Sequence, residues 1–158
     1  MSLPRSGVGW DSHRFAEGRD LVLGGVRVDF SLGLDGFSDA DALTHAVIDA
    51  LLGAAGLGDI GEHFSDTDER WRGADSISLL RSVCGMLGDA GMAPVNVDAT
   101  VVCEAPKLGP YRERMRARLA EALQLEAAAV NVKFTTAEGM GWVGGGEGVA
   151  ALAIATLR

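Results

Sequence analysis

"VNVDATVVCE", residues 95–104, places Val95, Val97, Ala99, Val101 and Cys103 on one face of an extended chain. Period two predicts a strand with one face on a core. Its flanks decide the fold class. "DSISLLRSVCGMLGDAG" (75–91) precedes it, with Ile77, Leu80, Cys84 and Leu87 at helical spacing and a stop at Gly91. "GPYRERMRARLAEALQL" (109–125) follows, with Tyr111, Met115 and Leu119 on one stripe and the arginines 112, 114, 116 and 118 mostly off it, as on a solvated face. Next come a strand, "VNVKFTTAE" (130–138), a Gly-rich turn, and a last strand, "GVAALAIATLR" (148–158).

Toward the N-terminus, "LVLGGVRVDF" (21–30) reads as a hairpin around Gly24-Gly25. "SDADALTHAVIDALLGAAG" (38–56) is a helix that stops at Gly56. Ser38 and Asp41 at its start resemble a capping box. "GLGDIGEHFSDTDERWRGAD" (56–75) has no sustained period and reads as a loop with room for one short turn, and His63 in it as solvent-exposed. The pattern predicts an α+β fold: a two-layer α/β sandwich, with one mixed sheet and helices on one face, formed by a single domain spanning 1–158. Apolar residues on the uncovered face then need a second subunit.

Composition narrows the function. With 47% apolar and 23% charged residues in 158, the chain can bury a core. A net charge of −8 argues against nucleic-acid backbones as partners. Cys84 and Cys103 have no CxxC spacing, which fits buried free thiols in a reducing cytoplasm. "MSLPRSG" (1–7) is too short and polar for a signal peptide, and no run of 18 apolar residues exists, so no membrane partner and a cytoplasmic location are expected.

"GVGWDSHRF" (7–15) carries Asp11 and His13 at i, i+2, on one face of a strand. His45 sits on the first helix and shares a face with Asp49. If that helix lies on the strand, Asp11, His13 and His45 converge as three ligands with a fourth position open, the pattern of a catalytic zinc site. A satisfied core histidine and a surface ion pair account for the same residues.

"GWDSHRF", "SDADALTHAVIDALLGAAGLGDIGEHFSDTD", "APKLGP" and "TTAEGMGWVGGGEG" occur in this order. Together they closely resemble the 2-C-methyl-D-erythritol 2,4-cyclodiphosphate synthases of non-mevalonate isoprenoid biosynthesis, over nearly the whole chain. The resemblance implies a homotrimeric lyase with active sites between subunits. It converts 4-diphosphocytidyl-2-C-methyl-D-erythritol 2-phosphate to the cyclic diphosphate and CMP.

The resemblance further implies one Zn²⁺ on Asp11, His13 and His45. Glu138 binds a second ion, Mg²⁺ or Mn²⁺, on the diphosphate. Thr136 stabilises the transition state beside Thr135. Ser38 matches a phosphate contact. Asp59, Ile60 and Gly61, with Phe64, Ser65, Asp66, Thr67 and Asp68, match the loop that receives the methylerythritol part. Cys103, Glu104, Ala105, Pro106, Lys107, Leu108 and Gly109 match the segment around the cytidine. Three positions depart from the family pattern: Phe37 stands where His is usual, Gly145 where Arg is usual, and Trp142 where Phe is common. A zinc-dependent phosphohydrolase and a non-catalytic trimeric ligand-binding homologue are the alternative readings.

Overall fold

The computed structural model describes residues 3–158. Its main sheet has five strands in the order β4-β1-β7-β5-β6. These are β1 (Arg5–Ala16), β4 (Gly33–Leu34), β5 (Pro94–Val102), β6 (Val130–Thr135) and β7 (Gly148–Leu157). Only β5 and β6 run parallel, because helix α4 (Arg112–Leu123) carries the chain across between them. The predicted single sheet needs one correction: β2 (Leu21–Leu23) and β3 (Val26–Val28) pair only with each other, as a separate hairpin.

Helix α1 (Ala42–Ala55) lies along β1 and β7, and α4 packs on β6. Helix α3 (Ser76–Asp89) packs chiefly against α1 and α4. The covered sheet face is made of small and β-branched residues: Val97, Ala99, Val101, Val130, Val132, Ala151, Ala153 and Ala155, all buried. The opposite face leaves large apolar side chains in the open. Val8 is 64% exposed and Trp10 55%, directly across from Ile154 and Leu152 in the β1–β7 register.

Helix and strand meet through two glycines. A Cβ on Gly9 would strike the Ala46 carbonyl oxygen, and one on Gly7 the Ala50 carbonyl oxygen and the Ala54 nitrogen. Ala46, Ala50 and Ala54 recur every fourth residue, so one stripe of small side chains runs down α1 against β1. Glycine is used here because backbone approaches backbone.

The cap of α1 also differs from the capping-box reading. The N-cap is Asp41, fully buried, not Ser38. Its carboxylate accepts from Thr44 N at 2.9 Å and Thr44 Oγ1 at 2.7 Å, and from the hairpin amides Gly24 N at 2.9 Å and Gly25 N at 2.7 Å. Asp41 wins because it satisfies helix and hairpin donors together, whereas Ser38 reaches only Ala40 N and His45.

Four local expectations also shift. Val95 is 39% exposed and leaves the buried face of β5, because the ladder to β7 slips between Pro94 and Asn96. Cys84 is only partly buried, and Val83 takes the core position on α3. Tyr111 lies in a 3-10 turn (Gly109–Tyr111) before α4. Arg116 ties α4 to β6 by donating to the carbonyls of Val130 and Ala127 at 2.9 Å, so the arginine run is not wholly a solvated face.

Two measurements test this packing. Gly9→Ala should destabilise the protein by about 3 kcal/mol, since backbone cannot yield to the added methyl. Gly53→Ala, whose Cβ meets nothing closer than Val8 O at 3.9 Å, should stabilise by up to ~1 kcal/mol through helix propensity. Equal midpoints for the two variants in denaturant would contradict the close contact. The thiols give the second test. Burial pushes Cys84 and Cys103 up from 9.0 to about 11. Their contribution to stability is therefore present below pH 9 and lost as pH rises toward 11. Iodoacetamide should alkylate both slowly at pH 8 in the native protein and quickly in urea. Equal rates in the two states would contradict the burial.

Candidate functional site

Asp11 and His13 leave β1 on the α1 side, and His45 faces them from the first turn of α1. Asp11 Oδ2 lies 2.8 Å from His13 Nε2 and 3.1 Å from His45 Nδ1, and the two ring nitrogens are 3.4 Å apart. Ligands of a tetrahedral zinc at bonds of 2.0–2.1 Å lie roughly 3.3 Å from one another. The donor set therefore fits such an ion in type and in spacing. Among the described residues these three form the one His/Cys/Asp/Glu group close enough to share a metal.

His13 is oriented from behind. Its Nδ1–H donates to the Asp35 carbonyl at 2.6 Å, which fixes the ring with Nε2 turned toward Asp11. Burial alone would raise the Asp11 carboxyl, but the hydrogen bonds and charges of His13 and His45 outweigh it and hold the group at about 2. Burial would lower His13, and the bond and charge of Asp11 carry it above the ordinary imidazole value instead. The two shifts are one interaction seen from both sides: Asp11 favours its anionic form and His13 its cationic form.

The trio opens into a cleft of about 390 Å³. Phe37, Ser38, Ile60, Gly61, Phe64 and Asp66, all singled out in the sequence, line it. Gly36, Trp71 and Leu79 line it without having been singled out. The loop expected over 56–75 holds two ordered turns, α2 (Ile60–His63) and a 3-10 turn (Glu69–Trp71). Asp59 caps α2 by accepting from Glu62 N at 3.0 Å. Ser65 and Thr67 share a hydroxyl contact of 2.8 Å, and Asp68 is paired with Arg70. His63 is half-buried on the Leu57 carbonyl, not the free loop histidine expected. Asp49 also goes elsewhere, accepting from Ile60 N at 2.8 Å and so holding the loop to α1. Phe37 carries the Arg72 guanidinium over its ring at 4.6 Å.

A second cleft, of about 260 Å³, shares no lining residue with the first. Cys103, Glu104, Pro106, Lys107, Leu108, Gly109, Thr135 and Thr136 line it, joined by Arg112 and Phe134. Ala105 precedes Pro106 in the same turn, through a cis peptide. Glu104 shapes the rim by accepting from Ala137 N. Glu138 is not part of the three-residue group; its Oε1 accepts from Thr136 Oγ1 at 3.3 Å. Lys107 and Arg112 place cations in the second cleft, and no Lys or Arg lines the first. Trp142 borders a third cavity with Ser12, His13, Arg14 and Glu147, and Gly145 ends the short helix α5 (Gly141–Gly144).

Arg72, Arg112, Trp71 and Leu79 carried no motif in the sequence. Apolar and arginine positions of this kind become visible only when their elements are packed.

Comparison with known proteins sets this geometry in context. A protein named 2-C-methyl-D-erythritol 2,4-cyclodiphosphate synthase from Salinibacter ruber is 57% identical over 154 residues, covering 98% of each chain. One of the same name from Desulfosudis oleivorans is 56% identical, covering 97% of this chain and 91% of its own. A solved structure of 2C-methyl-D-erythritol-2,4-cyclodiphosphate synthase in its CDP-bound form superposes with a TM-score of 0.89 at 38% identity, covering 98% of this chain and all of that one. The bifunctional IspDF from Campylobacter jejuni gives a TM-score of 0.94 at 40% identity, over 98% of this chain and 42% of that one. The YgbB family model matches residues 4–158, which takes in the strand–helix trio and both clefts: the chain belongs to the YgbB family.

Proposed function

We propose that residues 1–158 act as one catalytic domain, a cyclising, CMP-releasing lyase of isoprenoid biosynthesis in the cytoplasm. The substrate is 4-diphosphocytidyl-2-C-methyl-D-erythritol 2-phosphate. Its 2-phosphate oxygen attacks the β-phosphorus, the bond from that phosphorus to the CMP oxygen breaks, and the cyclic diphosphate and CMP result. The observation that carries the reading is the convergence of Asp11, His13 and His45 on one point of a cleft.

Zn²⁺ on that trio, with Mg²⁺ or Mn²⁺ at Glu138, supplies neutralisation of the two phosphates when bound. The chain's own groups do the rest. Lys107 and Arg112 draw the diphosphate to the second cleft. The Thr136 hydroxyl, free to leave Glu138, donates to a phosphate oxygen as charge builds. The turn 104–109 frames the cytidine with backbone groups. Ser38 offers a hydroxyl to phosphate, and the wall of Ile60, Gly61, Phe64 and Asp66 receives the methylerythritol part. Asp59 and the turn Ser65 to Asp68, next to that wall in sequence, offer acceptors for the methylerythritol hydroxyls.

One chain holds the cations and the three-ligand group in separate clefts. This supports an active site assembled between subunits. The exposed strip of Val8, Trp10, Leu152 and Ile154 supports a homotrimer that buries it. Transmembrane helices give no competing use for such a strip, since no helix among the described residues is long and apolar enough to cross a membrane.

Three outcomes separate the readings when the protein is incubated with substrate and Mg²⁺ and followed by ³¹P NMR. CMP with the cyclic diphosphate is expected. Open products carrying ¹⁸O from labelled water would indicate a phosphohydrolase, and binding without turnover a non-catalytic homologue. Thr136→Ala should lower kcat on the order of 10²-fold. His13→Ala and His45→Ala should lose zinc by elemental analysis yet keep the helical circular dichroism signal. Full zinc content in either variant would show that the ligand set is wrong.

Phe37 gives a separate test. Phe37→His, restoring a charge-assisted donor worth about 1.5–3 kcal/mol, should raise turnover roughly ten- to a hundredfold. A fall in turnover with the fold intact would mean that the site is built around the Phe37–Arg72 stack.

A further inference from the structure

His45 has two ring nitrogens and one proton to place in its neutral form. Nδ1 faces Asp11 and His13, and Nε2 faces the opposite way, toward Ser76 Oγ at 2.8 Å and Ser38 Oγ at 3.2 Å. Hydroxyls can donate or accept, so these contacts alone leave the proton unassigned. Asp39 decides it. Its carboxylate takes Ser76 at two points, accepting from the backbone N–H at 3.0 Å and from the hydroxyl. A carboxylate only accepts, and serine has one hydroxyl proton. Ser76 therefore spends that proton on Asp39 and presents only lone pairs to His45. The Nε2 of His45 must carry a hydrogen. Asp11 Oδ2, 3.1 Å from Nδ1, also only accepts and draws a proton to Nδ1 while no cation stands between them; a cation there replaces that proton and leaves the ring as Nε2–H.

We propose that Asp39 and Ser76 are positioning residues that hold His45 in the Nε2–H tautomer and so make its Nδ1 a metal ligand. Ser76 is completely buried, so no solvent competes for its lone pairs. The arrangement is rigid at both ends. Asp39 N donates to the Ala74 carbonyl at 3.1 Å, and Asp39 Oδ1 also accepts from Asp41 N at 3.2 Å. Ser76 is the first residue of α3, so the same pair joins the start of that helix to the loop that enters α1. Ser38 is the weaker partner of His45, at the longer distance and already accepting from Ala40 N at 3.2 Å. Ser38 can thus turn to a ligand in the cleft without releasing the ring. His13 reaches the same end by a different device, a backbone carbonyl.

This inference rests on the zinc reading of the trio, and the test separates the two. ¹⁵N NMR of ring-labelled, metal-free protein at neutral pH reports the His45 tautomer directly, with no variant and no metal. A protonated Nε2 is expected, with or without a second proton on Nδ1 toward Asp11; a ring protonated on Nδ1 alone would overturn the proposal. Asp39→Ala frees the Ser76 proton to turn toward Nε2, so the ring should shift toward Nδ1–H. Ser76→Ala leaves only Ser38 to hold the ring. Both variants should bind zinc 10- to 100-fold more weakly in competition with a chromogenic chelator. Unchanged zinc affinity and unchanged tautomer in both would also overturn it. Failure of the wild-type protein to bind zinc would reject the metal reading while leaving the tautomer measurement to decide the roles of Asp39 and Ser76.

Discussion

Everything at the site depends on how closely α1 approaches β1. Gly7 and Gly9 have no side chain to keep the helix away, and Ala46, Ala50 and Ala54 rest on them. That contact fixes both spacing and register. With Ala46 seated on Gly9, the neighbouring His45 comes level with Asp11, two residues further along the strand. A larger residue at Gly9 would lift the helix and pull the imidazole from the carboxylate. The three donors meet because two backbones touch nearby.

The entry to α1 is fixed by a second constraint, the buried Asp41. Burial pushes its carboxyl up and the Asp39 charge adds to this, while the amides of Thr44 and Gly25 and the Thr44 hydroxyl pull it back. Gly24 N makes a further donor. The carboxylate thus links the β2–β3 turn to the first turn of the helix that carries His45. The hairpin, which pairs with no other strand, gains its place on the core through this link as well as through Leu21, Leu23, Val26 and Val28, all buried.

Periodic features were legible in the sequence. The alternation of β5, the stop of α1 at Gly56 and the i, i+2 pair on β1 all appear where the pattern placed them. Features that depend on two distant segments were not. Asp41 could not be chosen over Ser38 as the cap without knowing that the hairpin turn lies above it. Ser76 and Asp39 gave no motif, because a buried serine is legible only once α3 is docked on α1. Val95 was misplaced because a bulge shifts the ladder without leaving a periodic mark. The separation of the two clefts is also invisible in one dimension: "TTAE" and "DSH" read as parts of one site, and a single chain keeps them apart.

The trio of donors spans two elements, with Asp11 and His13 on a strand and His45 on a helix more than thirty residues away in sequence. A cation held there is therefore a cross-link as well as a reagent. The unfolded chain cannot offer the three atoms together, so occupancy adds to the free energy of folding in proportion to the logarithm of cation concentration over its dissociation constant. Metal supply and thermal resistance become linked quantities, and a chelator acts on the strand–helix seam before it acts on any reaction.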